Sequence, residues 1–266
     1  MTSPFPLTTE DGAQVVQRVV NDFEQTRDVF EPTHLPESLV IDAIGPSSAT
    51  RERALFLTFT AMIDYRKETA GEDGLWQVMK RLWKDKQWIF EPTAVVKEHP
   101  YHELVDTFEK EPIMAWRDAH IWYRNAMTFQ RDYGSDPQNL FADHEWNAPE
   151  TLEFMRKHGR QFPYIKGKKI GSLWVRLIHE EVHPLEEIEE VPIPVDSRIR
   201  PLSKRIFEFD KPTADITDAD IRNRWFEICS RTSTYSVRAD QPFWLIEKYW
   251  SEWGQSYLNS VYSELE

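Results

Sequence analysis

The chain has 266 residues, 40% of them hydrophobic and 13% aromatic. That is enough to bury a core in one large domain or two small lobes, and it excludes disorder as the global state. The formal net charge of −13 excludes generalised attraction to polyanions, so any grip on nucleic acid must come from local basic islands.

Cys229 is the one cysteine, which excludes an intrachain disulfide, a cysteine zinc site and an iron–sulfur cluster. The opening "MTSPFPLTTEDGAQ" has no basic n-region and no apolar h-region, so no signal peptide is expected there. No apolar run approaches the roughly 18 residues that span a bilayer. These features lead us to expect a cytoplasmic protein that does not use a membrane.

In chain order, residues 13 to 30 space Val15, Val16, Val19, Val20, Phe23 and Phe30 at threes, fours and sevens, an amphipathic helix. Residues 50 to 64 are apolar nearly throughout, as a buried central helix is. Helices are expected over 74 to 84, 100 to 109 and 112 to 132, the last with Ile113, Trp116, His120, Tyr123 and Met127 on one face. Glu150–His158 and Lys169–His183 read as two more, joined by a short hairpin. Asp196 opens a further helix to Phe207. Residues 217 to 229, with Thr217 as N-cap, and 241 to 264 close the chain. Asp11-Gly12 and Asp73-Gly74 are turn signals, but neither separates two alternating runs. With no sustained alternation and no repeat, the expected fold is all-α.

Charge is distributed unevenly. Arg156 to Arg176 contains seven Lys or Arg and no carboxylate, and Ser197 to Arg205 contains four and none. Between them, Glu180 to Glu190 holds six acidic residues.

Two motifs compete inside that region. His179-Glu180-Glu181-Val182-His183 has the spacing with which two histidines on one helical face share zinc and the adjacent glutamate acts as base. Pro184 follows at once, which frays the last turn, and no third ligand is marked. The bland alternative is histidine favoured at a helix C-terminus. The other motif is "FPYIKGKKIGSLWVRLI" followed by "VPIPVDSRIRPLSKRIF": a turn entering a helix, then an apolar approach to an aspartate and a basic amphipathic segment.

This second pair resembles the helix-hairpin-helix DNA glycosylase superfamily, which includes endonuclease III and the 8-oxoguanine glycosylases. There, a hairpin of the type Leu-Pro-Gly-Val-Gly-x-Lys-x-Ala leads into a helix. A Val-Asp-x-His/Arg-hydrophobic-x-Arg segment follows downstream. Val195-Asp196-Ser197-Arg198-Ile199-Arg200 fits the second element, while Ile165-Lys166-Gly167 and Lys169-Ile170-Gly171-Ser172 are similar to the archaeal-type hairpin. "WRDAHIWYRNAMTFQRDYGSDPQNLF" looks like the family's preceding helix, and "ALFLTFTAMIDYRKETA" like its central helix and wedge loop. The likeness spans roughly residues 50 to 255. Here the glycine turn is shortened to Gly167, "HEEVHPLEEIEE" lengthens the path to Asp196, and the family's four-cysteine cluster is absent.

The resemblance implies a two-lobed helical fold with its active site in the cleft between lobes. It divides the chain into an N-terminal segment 1 to 49, a helical lobe 50 to 160, and a part 161 to 266 carrying hairpin, aspartate and C-terminal helices. It implies hydrolysis of the N-glycosidic bond of a damaged or modified base, with or without AP-lyase activity. In such a reaction a carboxylate stabilises positive charge growing on the sugar, and Asp196 takes that part. Lys169 would be the Schiff-base nucleophile, favoured by burial and neighbouring cations, with Lys168 as the alternative register. Lys166, Gly167, Lys168, Gly171, Ser172, Arg176, Arg198 and Arg200 would hold phosphates. Asp64, Tyr65 and Arg66 lie where a plug would enter the duplex. Trp116, Trp122, Tyr123 and Trp174 are candidates to stack on the flipped base, with core packing as their alternative. The implied partner is double-stranded DNA bearing the damaged base, met by a monomer that needs no cofactor and no metal. An N-glycosidase for a modified nucleoside or RNA, and a zinc hydrolase built on His179 and His183, are the alternatives.

Overall fold

Thr8 starts the first helix by accepting the N–H of Asp11 on its side chain, and Thr50 starts the central one by accepting that of Arg53. The computed structural model describes residues 5–31, 35–41, 44, 50–65, 74–111 and 114–265. Among these no β-strand occurs, and the only strand-like pairings are isolated bridges of Leu7 with Phe207 and of Asn147 with Glu186. The α-helices are α1 (Thr9–Glu24), α2 (Ser38–Ile41), α3 (Arg51–Ala61), α4 (Leu75–Asp85), α5 (Tyr101–Glu109) and α6 (Trp116–Asp132). They continue as α7 (Pro137–Ala142), α8 (Ala148–Lys157), α9 (Lys168–Glu181), α10 (Ile199–Ile206), α11 (Asp218–Cys229), α12 (Ser236–Lys248) and α13 (Gln255–Leu265). No helix among the described residues is long and apolar enough to cross a membrane.

The chain divides into two units. One joins Met1–Leu35 to Glu189–Glu266, and the other is Pro36–Ile188. The sequence reading placed its boundaries instead after residues 49 and 160.

In the first unit α1 packs against α11, α12 and α13, and α10 against α11 and α12. Val15, Val16, Val19 and Val20 meet Ile199, Leu202, Ile206, Trp225, Ile228 and Phe243 in one apolar core. The backbone ties the N-terminal segment to the end of α10 here. Leu7 N–H donates to the carbonyl of Ile206 at 2.7 Å, and Glu208 N–H to that of Leu7 at 3.0 Å. Asp11-Gly12 lies in the first turn of α1, not in a loop. A Cβ on Gly12 would sit 3.2 Å from Ile228, so glycine there serves close helix approach.

In the second unit α3 is buried almost all round, against α9, α7 and α4, as its unbroken apolar run predicts. Phe56, Phe59, Trp76, Phe90, Phe108, Trp122 and Phe129 form its aromatic core. Trp122 and Trp174 belong to that core, both fully buried. Their indole N–H groups donate to the carbonyl of Ile89 at 2.6 Å and to the hydroxyl of Thr58 at 2.9 Å. They are therefore not surfaces for a flipped base to stack on.

Two expected elements differ. The span 241 to 264 is not one helix: α12 and α13 flank a π-turn, Trp250–Gly254, where a Cβ on Gly254 would collide with the carbonyl of Ile246. In α6 the face carrying Trp116, His120, Tyr123 and Met127 points outward, whereas Ala119, Trp122, Ala126 and Phe129 are buried. Ile113 lies outside the described residues.

Candidate functional site

α8 and α9 pack against each other and are joined by a ten-residue turn, residues 158–167. Its backbone is closed by Gln161 N–H to His158 O, Ile165 N–H to Pro163 O and Gly167 N–H to Tyr164 O, each at 2.8 Å. Gly167 is the N-cap of α9. α9's first turn carries Lys168 and Lys169, with no acidic residue to screen them. Gly171 allows the two helices to meet, since a Cβ there would lie 2.9 Å from Leu152 and 3.0 Å from the carbonyl of Ile165.

Tyr164 has φ +64°, the left-handed region that favours glycine, directly after Pro163.

Lys169 reaches across to Asp64. Its Nζ donates to the carbonyl of Asp64 at 3.1 Å and lies 3.6 Å from the Asp64 carboxylate. The charged group paired with it is thus an anion, where the sequence reading expected neighbouring cations. Lys166 folds over Gly159, and Lys168 is exposed. Beside Asp64, Tyr65 stacks on Tyr164 with ring centres 4.4 Å apart. The Tyr65 hydroxyl donates to Asp118 at 2.7 Å. Burial, that hydrogen bond and the Asp118 charge push the Tyr65 phenol well above its ordinary value. Asp118 also accepts the N–H of Ala115 at 2.8 Å, which orients it at the start of α6. Tyr164 and Asp118 were not singled out from the sequence, although Pro163 before one, and a start of α6 three residues before the other, are the signals that mark them. Arg66 lies outside the described residues.

Asp196 belongs to the first unit. It is half-buried, and its Oδ1 accepts the N–H groups of Arg198 and Ile199, both at 2.8 Å, which caps α10. Oδ2 takes no hydrogen bond among the described residues. Val195 on its approach is buried in the core, so the aspartate backbone is fixed. Arg200 grips Asp218 at 2.7 and 2.9 Å, and this bond is the main reason the Asp218 carboxyl falls below its usual range. Arg198 lies 5.8 Å from the Trp244 ring centre.

The other expected phosphate ligands separate by exposure. Arg176 is 1% exposed and faces Glu37 at 3.1 Å and Glu180 at 3.7 Å. Ser172 is buried and donates to the carbonyl of Lys168 at 2.9 Å. Neither side chain reaches the surface, because both lie on the face of α9 turned to the core. Lys166, Gly167 and Lys168 are accessible. Of the stacking candidates, Trp116 is exposed, and Tyr123 is half-buried edge-on to Tyr101 at 5.1 Å.

The histidine pair does not share a helical face. α9 ends at Glu181, and His183 lies beyond it with its ring stacked on Trp146 at 3.9 Å. Its Nδ1–H donates to the carbonyl of Pro184 at 2.6 Å. His179 Nδ1 accepts the N–H of Leu185 at 2.9 Å. No group of three or more His, Cys, Asp or Glu able to hold a metal occurs among the described residues.

No protein-family model matches this chain, and no curated protein matches it.

Proposed function

We propose that the protein is a DNA N-glycosylase that hydrolyses the N-glycosidic bond of a damaged or modified base. The observation that carries the reading is the closed turn between α8 and α9, which sets two lysines in the first turn of α9, Lys168 exposed and Lys169 paired with Asp64. Amides and cations at such a turn suit a phosphate backbone. Tyr65 and Tyr164, stacked at the tip and tied to Lys169 through Asp64, are the side chains that would enter the duplex when a base leaves it.

In this reading Asp196 stabilises the positive charge that develops at C1′ as the base departs, and water completes the hydrolysis. The cap leaves Oδ2 for that task. If the enzyme is also a lyase, the amine of Lys169 attacks C1′, displaces the base and forms a Schiff base there. Its pairing with Asp64 requires the plug segment to move first. The two-lobed glycosylase arrangement with its active cleft, the monomeric state, the cytoplasmic location and duplex DNA as partner come from the same resemblance and form part of the proposal.

Borohydride trapping on a duplex with an abasic site tests it. The expected result is a covalent adduct with the wild type that is lost in Lys169→Ala. An adduct that survives Lys169→Ala and is lost in Lys168→Ala moves the nucleophile by one residue. Base release without any adduct makes the enzyme monofunctional. No adduct and no release from any modified duplex contradicts the proposal.

A further inference from the structure

Helix α6 buries one side and leaves most of the other exposed. Trp116 is 63% exposed, Met127 is exposed, His120 is exposed, and Tyr123 is shielded only in part, by Tyr101. Positions 116, 120, 123 and 127 follow each other at spacings of four and three, so they line one face about 16 Å long. Arg117, Arg124 and Arg131 recur every seven residues along its edge. The carboxylates of α6 are Asp118, buried against Tyr65 and the Ala115 N–H, and Asp132, paired with Arg131 at the last residue. Between Trp116 and Arg131 the outward face thus presents rings and cations and no acidic group, in a chain whose net charge is −13.

An apolar helix partner would leave the arginines opposite nothing, and an acidic protein surface would leave the rings without a flat counterpart. Rings alternating with guanidinium groups match unpaired bases joined by phosphates. We propose that the outward face of α6 binds a single-stranded segment of nucleic acid, with bases stacked on Trp116 and Tyr123 and phosphates against Arg117 and Arg124.

The turn between α8 and α9 meets one edge of this face at Arg124 and the buried side of α6 at Asn125 and Thr128. Arg124 donates to the carbonyl of Arg160 at 2.8 Å, Asn125 to that of Pro163 at 3.1 Å, and Thr128 to that of Gln161 at 2.8 Å. The charge of Arg117 bears on the phenol of Tyr65. A strand on α6 therefore passes beside the cations of the turn. The inference stands on the exposed rings and arginines and does not require glycosylase chemistry.

Binding of the full chain to a short labelled oligothymidylate, followed by anisotropy at rising salt, tests it. The wild type binds, with affinity falling as salt rises. Trp116→Ala with Tyr123→Ala weakens binding by about tenfold or more, in line with the loss of base–ring stacking. Arg117→Gln with Arg124→Gln flattens the salt dependence. Melting is read for both double variants, because Tyr123 is half-buried against Tyr101 and Arg124 donates to the carbonyl of Arg160. The single variants Trp116→Ala and Arg117→Gln, at exposed positions, keep the wild-type melting temperature and show the same direction of effect. The proposal is overturned if the wild type does not bind the oligonucleotide, or if the stacking variant binds it equally well. It is also overturned if sedimentation shows a dimer that Trp116→Ala dissolves, because the face then belongs to a second copy. Base release from modified duplexes is read separately, so failure of the glycosylase reading and failure of this one are distinguishable.

Discussion

At the scale of single residues, the two oxygens of Asp196 differ. Oδ1 holds the start of α10 through two N–H groups, and Oδ2 takes no hydrogen bond among the described residues; the proposed chemistry falls to Oδ2. Asparagine caps a helix about as well as aspartate but carries no charge, whereas alanine does neither. Asp196→Asn is therefore expected to melt like the wild type. Asp196→Ala is expected to lose about 1 kcal/mol of unfolding free energy, as cap deletions do. Urea denaturation of the two variants checks this, and equal losses would show that the cap is not what the aspartate supplies. The cap is legible in the sequence as an aspartate at the start of a basic amphipathic helix. The partner of Lys169 is not legible, because Asp64 lies 105 residues away and no local pattern announces the meeting.

At the scale of elements, the turn between α8 and α9 depends on a missing side chain. A Cβ at position 171 would press on Leu152, which can yield, and on the carbonyl of Ile165, which is held in the turn backbone. Gly171→Ala is expected to destabilise the fold by about 1–3 kcal/mol, the usual range for overpacking. It should also weaken duplex binding, with thermal melting and a DNA titration as the checks. An unchanged melting temperature would mean that α9 shifts freely, and that the turn does not depend on this glycine. Most helices were legible, because apolar spacing and caps agree: Thr217 starts α11 with the reciprocal bond from Asp220, as its sequence predicts. The face of α6 was not. Trp116, Trp122 and Tyr123 were alike candidates for stacking or for core, and the structure buries the side that holds Trp122, Phe129 and two alanines. A helix with rings on both sides gives no periodic signal of which one faces inward. Arg176 shows the same limit in reverse, since a cation in a basic run was expected outside and lies buried with Glu37 and Glu180.

At the scale of the whole molecule, the N-terminal segment joins the C-terminal part of its unit through the backbone bonds of Leu7 with Ile206 and Glu208. That pairing leaves no trace in composition, so the division at residues 35 and 188 could not be read from linkers. Burial sets the alkaline limit of stability. It pushes the Cys229 thiol up to about 12 from an ordinary value of 9.0, and the Tyr133 phenol up to about 12 from 10.0. Tyr257 moves up as well, by burial and its bond to Asp22. These groups stay neutral in the fold but ionise in the unfolded chain, so their contribution is complete below pH ~9 and is lost as pH rises toward ~12. The denaturation midpoint is expected to fall steadily across that window, and a flat profile would show that these groups are solvated in the fold. The acidic net charge adds a second expectation for any nucleic acid bound: association confined to the basic turn and α6 should weaken steeply with salt.

The most direct test is base release from a panel of duplexes carrying oxidised, alkylated or deaminated bases, comparing the wild type with Asp196→Asn. The account predicts release from at least one duplex by the wild type and a loss of about a hundredfold or more in Asp196→Asn at an unchanged melting temperature. Release that is equal in both proteins, or absent from every duplex, would contradict it.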